Sequence, residues 1–529
     1  MSEQRPSQFH SVHLHEDMCK GCTVCVTGCP AEAIRVRDGK AHILEERCID
    51  CGECIRHCPN KAKYSLSAVL DDLKPYTMKA ALITPSIYGQ FNVHYSKKQI
   101  HDAFISLGFT HVYDVSEDAL RISRATSYLI SHGKNLPKPL ISSSCPTIIK
   151  LIEVRFPALL DNIVPLLPPV ELTARRALAD MKAQASSSDK IGIFLISPCS
   201  AKITVARSPV GYDYTAMTGA FSLSSLYLPL VTELRKMRSS EKEKASELAD
   251  ELKALKLITP DGKPAEPGVK IPEVSECYTD APDGLAWGRE SGEAEYAAHF
   301  LDHPEKFSWI TSCGIQQVIE TLETIEDGQL GSYDFAELDA CPGGCINGPL
   351  MIKPGSEGLA ILRNRLRNRR AQAADIASRG MNESDRPHSA EEAQNKSSPG
   401  MKGNRGLAAT LAAEDASQDR AEAATPMLSD LIGESDPDIA ALSFTKQITP
   451  RPARHLSDDF ATARKMMQNM EDIIAQLPGL DCGSCGAPNC RALAEDIVRR
   501  QAKLEDCVTI MKSRYEELLF GKKGGAHGK

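Results

Sequence analysis

Cys19-Lys20-Gly21-Cys22-Thr23-Val24-Cys25-Val26-Thr27-Gly28-Cys29-Pro30 and its repeat Cys48-Ile49-Asp50-Cys51-Gly52-Glu53-Cys54-Ile55-Arg56-His57-Cys58-Pro59 decide how this chain begins to fold. Both carry the spacing C-x2-C-x2-C-x3-C-P, which presents four thiolates to a 4Fe-4S cubane, the fourth cysteine of each run ligating the other cluster. The expected sets are therefore Cys19, Cys22, Cys25 and Cys58 for one cubane and Cys48, Cys51, Cys54 and Cys29 for the other. The proline after each fourth cysteine fixes φ and turns the chain away from the cluster.

Two such runs are the mark of the bacterial two-cluster ferredoxin fold, expected here over residues 1–77 with short strands at 33–36 and 40–44. His10, His13 and His15 fall on an expected strand before the first run and are read as structural, since a metal site needs convergent ligands whose own hydrogen bonds are satisfied. Of the eighteen cysteines, only Cys277 and Cys313 lie outside sets of four, and both are read as buried thiols. A third set, Cys482, Cys485, Cys490 and Cys507, lies near the C-terminus, and a fourth is scattered as Cys145, Cys199, Cys341 and Cys345.

The chain has 529 residues, 42% of them hydrophobic, which suggests about three domains at roughly 150 residues each. No stretch approaches the ~20 consecutive apolar residues of a membrane helix. The start, MSEQRPSQFHSVHLHED, lacks the basic and apolar regions of a secretory leader. A cytoplasmic protein is expected, its clustered cysteines acting as thiolate ligands in a reducing compartment rather than as disulfides. A net charge of -8 gives no footprint for nucleic acid, though local basic patches could dock an acidic redox partner. There is no Walker loop, dinucleotide fingerprint or kinase motif.

From residue 78 to 366, short apolar strands alternate with helices, the pattern of a layered α/β domain. The clearest strands are 80–85, 140–142 and 191–196; helices are expected at 146–154 and 316–325. A charged helix at 234–257 is read as a solvated face, with 259–272 as its exit loop. Residues 379–436 are too poor in apolar side chains to offset their ordering entropy and are read as a tether within a flexible linker spanning 367–455.

The last part, 456–529, is read as a small α-helical 4Fe-4S domain followed by a terminal helix. Ser457 is expected to cap its first helix, with Asp458 and Asp459 in the first turn. Phe460, Met466, Met467, Met470, Ile473, Ile474 and Leu477 then recur at helical spacing. Cys490 and Cys507 are seventeen residues apart, about 25 Å in an unbroken helix, so to share a cubane the helix must break near 499–501. Arg500 in a left-handed conformation would supply that break at a cost of about 1 kcal/mol. Val508, Met511, Tyr515 and Leu518 form a narrow seam suited either to a homodimer contact or to packing on the cluster domain.

The scattered cysteines stand in Ser142-Ser143-Ser144-Cys145-Pro146, in Ser197-Pro198-Cys199-Ser200-Ala201-Lys202, and in Ala340-Cys341-Pro342-Gly343-Gly344-Cys345. Each segment follows an expected strand or opens a Gly- or Pro-shaped turn. Thiolates presented from the loop ends of a rigid sheet suit a large buried cofactor. In this order, and behind a two-cluster ferredoxin, the three segments resemble the signature motifs of the FeFe hydrogenases over residues 10–365.

The resemblance implies that Cys145, Cys199, Cys341 and Cys345 hold the cubane half of a hydrogen-activating cluster. Cys345 would also bridge to a diiron unit carrying CO, cyanide and a dithiolate. Lys202 would donate to a cyanide ligand, and Pro85 and Ser86 would line the far side. Ser144 stands where hydrogen-producing members carry a proton-relaying cysteine; Val205 and Asp339 replace a glutamate and a methionine. These departures, and the tail 480–496, resemble the sensory branch of the family.

The expected protein is thus multidomain α/β, with a ferredoxin fold, an FeFe hydrogenase large-subunit domain, a flexible linker and a C-terminal 4Fe-4S domain. Four 4Fe-4S clusters and, after maturation, the diiron unit are its expected cofactors, and H2 or protons its substrate. Low turnover with output to a ferredoxin-like or separate signalling protein is expected. The alternatives are a working ferredoxin hydrogenase subunit, or a non-catalytic iron-sulfur electron-transfer or assembly protein.

Overall fold

The computed structural model describes residues 9–254, 284–380, 425–428, 431, 437–451, 456–457 and 459–520. In the N-terminal unit, β1 (Val12–Leu14) pairs with a later strand, while β2 (Ile34–Arg37) and β3 (Lys40–Ile43) form an antiparallel hairpin. Asp38 and Gly39 at its turn both take positive φ, the two-residue geometry that matches strand twist. The strand β4 (Lys63–Ser65) closes the unit by pairing antiparallel with β1. Each cysteine run carries a short helix, Val24–Thr27 in the first and Glu53–His57 in the second.

Two parallel sheets follow. In the first, β5 (Met78–Ile83) lies between β6 (His111–Asp114) and β8 (Ile191–Ser197), with β9 (Gly219–Ser222) outside β8. The second places β11 (Phe335–Asp339) between β10 (Trp309–Cys313) and the short β7 (Leu140–Ile141). Strands covered on both faces read as continuous apolar runs, and Ala80, Ala81, Leu82 and Ile83 are all fully buried. The expected helices are present as Pro146–Arg155 and Ile315–Glu326. All strands of a parallel sheet point the same way, so the loops after β7, β8 and β11 are the carboxyl-end loops where such sheets bind ligands.

Of the charged helix expected at 234–257, the structure describes a helix Leu223–Ala254; the loop at 259–272, like Cys277, lies outside the described residues. The helix Gly355–Gly380 runs past the expected domain end at 366. Much of the tether at 379–436 is likewise outside the described residues, but the linker expected to reach 455 is docked from residue 437 to 451. Phe444 is buried and its N–H donates to Pro165 O (2.9 Å); Leu167 N donates to Leu442 O (2.7 Å). Arg451 bonds Glu153 through its side chain (2.9 Å) and reaches Cys48 O (3.4 Å). One apolar core therefore takes Ala31 and Ile49 from the ferredoxin-like unit, Ile148 and Ile152 from the α/β domain, and Phe444 and Ile448 from this strap.

The C-terminal unit starts with the helix Phe460–Gln476, capped by Asp459 rather than by Ser457. Asp459 Oδ2 accepts from Thr462 N (2.8 Å), while Ser457 Oγ accepts from Asp459 N (3.2 Å), one register too early to reach the helix. Only the later part of the apolar stripe packs: Met470, Ile473, Ile474 and Leu477 meet Leu493 and Cys507, whereas Phe460 is 81% exposed. The next helix, Cys490–Val498, stops where Arg500 turns left-handed at φ 62°. Arg500 N donates to Ile497 O (2.9 Å) and Gln501 N to Asp496 O (2.8 Å), the two bonds of a Schellman motif.

Glycine at position 500 relieves a penalty of about 1–2 kcal/mol and loses about 0.4–1 kcal/mol through unfolded-state entropy. Arg500→Gly is accordingly expected to raise stability by roughly 0.5 kcal/mol in anaerobic unfolding. A clear loss would show that the arginine side chain matters more than its backbone angle.

This unit lies on the ferredoxin-like one. Asp496 Oδ2 accepts from Arg35 Nε (2.8 Å) and Arg37 Nη2 (2.6 Å), Glu495 pairs with Arg47 (2.8 Å), and Val36 N donates to Gly486 O (2.8 Å). A Cβ on Gly486 would stand 2.1 Å from Val36 O, so this approach needs glycine. In the terminal helix Val508–Phe520, the seam Val508, Met511, Tyr515 and Leu518 is exposed rather than packed on the cluster domain. Among the described residues no helix is long and apolar enough to cross a membrane.

Candidate metal centre

The scattered cysteines converge because each sits where a strand ends. Cys145 immediately precedes the helix Pro146–Arg155 just beyond β7, Cys199 immediately precedes the helix Ser200–Val205 beyond β8, and Cys341 follows β11. Cys345 opens the short turn Cys345–Asn347. Between the last two, Gly343 and Gly344 have positive φ, and a Cβ on Gly344 would stand 2.8 Å from Glu290 N. Gly348 passes so close beneath Pro198 that a Cβ there would lie 2.3 Å from its carbonyl oxygen, which draws the Cys345 turn under the Cys199 loop.

Each of the four thiols lies in the electrostatic field of others in the set. Burial pushes Cys345 up to about 12 against the pull of Lys202, burial also raises Cys341 well above its ordinary range, and the neighbouring cysteines add to both shifts. Cys145 is raised chiefly by burial, against the pull of Lys202. All four are only partly covered, and Cys145 and Cys345 line one internal space with Ser144, Glu293, Glu337 and Asp339.

Lys202 stands three residues after Cys199, on the same helical face, with its Nζ 3.4 Å from Cys345 Sγ. Burial alone would lower its pKa, but the charges of Cys345, Cys199, Cys145 and Asp339 outweigh burial and raise it. Ser86 is buried, and Gly288 lies between it and Cys345, 3.6 and 3.8 Å from where a Cβ would stand. Val205 is buried.

Besides Asp339, two acids that the motifs do not single out, Glu293 and Glu337, share this space. Ser144 Oγ donates to Glu293 Oε1 (3.2 Å) and Ser142 Oγ to Glu293 Oε2 (2.7 Å). Burial pushes Glu293 up to about 7, opposed by those two hydroxyls. Glu337, raised well above its ordinary range by burial, accepts from Ala294 N (2.8 Å). Burial also pushes Asp339 up to about 6 against the attraction of Lys202. An acid inside the buried strand Phe335–Asp339 was the one available signal for Glu337; nothing marked Glu293. Cys313 Sγ lies 4.0 Å from Asp339 Oδ2, and burial raises its pKa.

In the ferredoxin-like unit Cys29 leaves its own run and lines a cavity with Cys48, Cys51 and Cys54. Cys25 lies in the field of Cys22 and Cys19, and Asn60 Nδ2, two residues past Cys58, stands 3.9 Å from Cys22 Sγ. The second run also abuts the α/β domain. A Cβ on Gly52 would lie 2.5 Å from Pro349 Cγ and 2.9 Å from Ser200 Oγ, and Arg56 Nη2 donates to Asn347 O (2.8 Å). Cys485, Cys490 and Cys507 share one cluster of packed side chains, while Cys482 stays exposed on the preceding loop.

Ligand atoms of His10, Cys48 and Asp50 approach within 4.8 Å of one another. Lys150 Nζ already holds Asp50 Oδ2 at 2.6 Å, and an ammonium excludes a second cation there. His10 donates to the same carboxylate oxygen (3.1 Å), His13 bonds His10 O (3.0 Å), and His15 stacks on Tyr64 at 4.0 Å.

Residues 78–212 and 282–349 match the family model of the iron only hydrogenase large subunit, C-terminal domain. Residues 11–59 match a 4Fe-4S dicluster domain and 477–509 an Fe-S cluster model. The chain is an iron-sulfur protein related to the FeFe hydrogenases. Its first unit is ferredoxin-like and its central domain α/β. An uncharacterized protein of Methanocaldococcus jannaschii is 37% identical over 51 residues, which are 10% of this chain and 23% of that protein. Among solved structures, FeFe-hydrogenase HydA1 from Chlamydomonas reinhardtii in two variants is similar at 17% and 16% identity, with TM-scores of 0.35 and 0.36. Each covers 55% of this chain and 87% of the other.

Proposed function

We propose that the chain activates H2 reversibly at a centre held by Cys145, Cys199, Cys341 and Cys345, slowly and in the service of H2 or redox sensing, with electrons moving through its 4Fe-4S clusters. The observation that carries this is the approach of buried Lys202, through its Nζ, to Cys345 Sγ at 3.4 Å within a set of four half-buried cysteines. The donor set fits: four soft thiolates suit iron-sulfur ligation, and a coordinating metal removes the protons that burial would otherwise hold on. Glycines at 344 and 348 allow the close backbone approaches that seat the Cys345 turn beside the Cys199 loop.

When bound, the diiron unit supplies the open metal site for H2 and the amine that takes up its proton. Lys202 brings three donors and a fixed charge to an anionic diatomic ligand. Ser144, bonded to Glu293, can pass a proton to that carboxyl at Oε1, and a carboxyl near neutrality can hold or release it. A hydroxyl is a poorer relay than a thiol at neutral pH, which supports low turnover. Output to a separate redox or signalling protein, and a homodimer through the exposed seam, belong to the same proposal.

Infrared spectroscopy of protein matured with the diiron assembly machinery tests it. CO and cyanide bands are expected. About sixteen irons per chain without those bands would leave only an electron carrier holding four cubanes.

A further inference from the structure

The two halves of the ferredoxin-like unit use one backbone device and then diverge. Ala33 N donates to Cys29 Sγ at 3.2 Å, and Ala62 N donates to Cys58 Sγ at 3.2 Å. The next residue enters a strand and is buried in both cases. In the first half it is Ile34, at 3% exposure, and in the second Lys63, at 4%.

Ile34 packs against Cys25, Val26 and Ala41, as a buried apolar residue should. Lys63 Nζ is buried with no hydrogen-bond partner among the described residues. Ser65 Oγ, two residues on and so on the same face of β4, is likewise buried and unpartnered. An unpaired buried ammonium costs several kcal/mol and survives only beside compensating negative charge.

Cluster cysteines are the anionic groups in reach. Lys63 adjoins Ala62, whose N–H reaches Cys58 Sγ at 3.2 Å, and its ammonium lies in the electrostatic field of Cys25, Cys54 and Cys58. Cys25 and Cys58 belong to the first expected set, Cys54 to the second.

We propose that Lys63 sets the reduction potential of the first ferredoxin cubane, its unpaired ammonium favouring the extra negative charge that one-electron reduction adds, while Ile34 gives the second half no such cation. The proposal rests on the cubanes assigned above to residues 1–77 but not on the diiron unit. The two ferredoxin clusters then differ in potential, and the one nearer Lys63 accepts an electron first. Lys63 touches no substrate; it acts through the cluster's charge.

The test is a redox titration followed by electron paramagnetic resonance, on the full chain reconstituted with iron and sulfide. Lys63→Met, which keeps the length and removes the charge, is expected to leave iron content unchanged. It should shift the equilibrium for reducing one ferredoxin cluster at least tenfold against reduction, 59 mV for one electron. Lys63→Arg should keep the wild-type midpoint. Full iron content with an unmoved midpoint in Lys63→Met would overturn the proposal. Should Lys63→Met lose the cluster, Lys63→Arg must restore cluster and midpoint together; recovery by neutral Lys63→Gln with an unshifted midpoint would show that only shape matters. Wild-type protein binding no iron through residues 1–77 would instead sink the cluster assignment itself.

Discussion

Lys202→Met is expected to strip the matured protein of most of its CO and cyanide infrared bands while leaving the iron of its cubanes in place. The side chain is buried, and its ammonium points at the sulfur that would join the two halves of the centre. Methionine matches the length and apolar stem but offers no donor. A charge-assisted hydrogen bond contributes about 1.5–3 kcal/mol, so retention of an anionic ligand set should weaken roughly ten- to a hundredfold. The four cysteines are unaltered, so the cubane should persist in its electron paramagnetic resonance signal. Full-intensity bands in the variant would show that the lysine does not hold the cofactor.

Lys150→Met is expected to destabilise the chain by about 3–5 kcal/mol, because it leaves a carboxylate buried without its cation. The Asp50 side chain is fully buried, Lys150 Nζ lies 2.6 Å away, and the lysine side chain is 3% exposed. Burial alone would raise the Asp50 pKa, yet Lys150 and then His10 hold it down at about 2. Asp50 sits between Cys48 and Cys51, while Lys150 belongs to the helix that Cys145 immediately precedes. The pair therefore fastens the ferredoxin-like unit to the α/β domain. Anaerobic denaturant unfolding should show the loss, and Asp50→Asn in the same chain should recover most of it, since removing both charges removes the penalty. A Lys150→Met protein as stable as the parent would mean that His10 alone compensates the carboxylate.

Much of this architecture could be read in advance because cysteine spacing is a geometric constraint. The runs at 19–29 and 48–58 specify which thiol must cross between them, and Cys29 does lie beside Cys48 and Cys51. The separation of Cys490 and Cys507 required a broken helix, and Arg500 supplies the break. The scattered set was legible only through family resemblance, since nothing in a lone Cys145 says what it will face.

Other features left little trace. Ile439, Leu442, Phe444 and Ile448 are spread along the strap with no run or fixed period that would reveal that it docks. Ser457 and Asp459 are equally good caps on paper, and only backbone geometry chooses between them. Glu293, on a helix whose acids otherwise look like a solvated face, acquires its character from burial against Ser142 and Ser144. Lys63 looks like an ordinary strand residue until its ammonium is found without a partner.

The salt link from Asp496 to Arg35 and Arg37 bears on how the protein can be dissected. Excising everything after residue 455, the natural way to ask what the tail does, would strip two guanidiniums of their shared counter-ion and bare the edge of β2. Such a shortened protein should melt earlier than one carrying only serine replacements of Cys482, Cys485, Cys490 and Cys507, if those replacements keep the interface. Calorimetry on the two would separate the tail's part as scaffolding from its part as an iron carrier, and equal melting temperatures would mean that the interface adds nothing to stability.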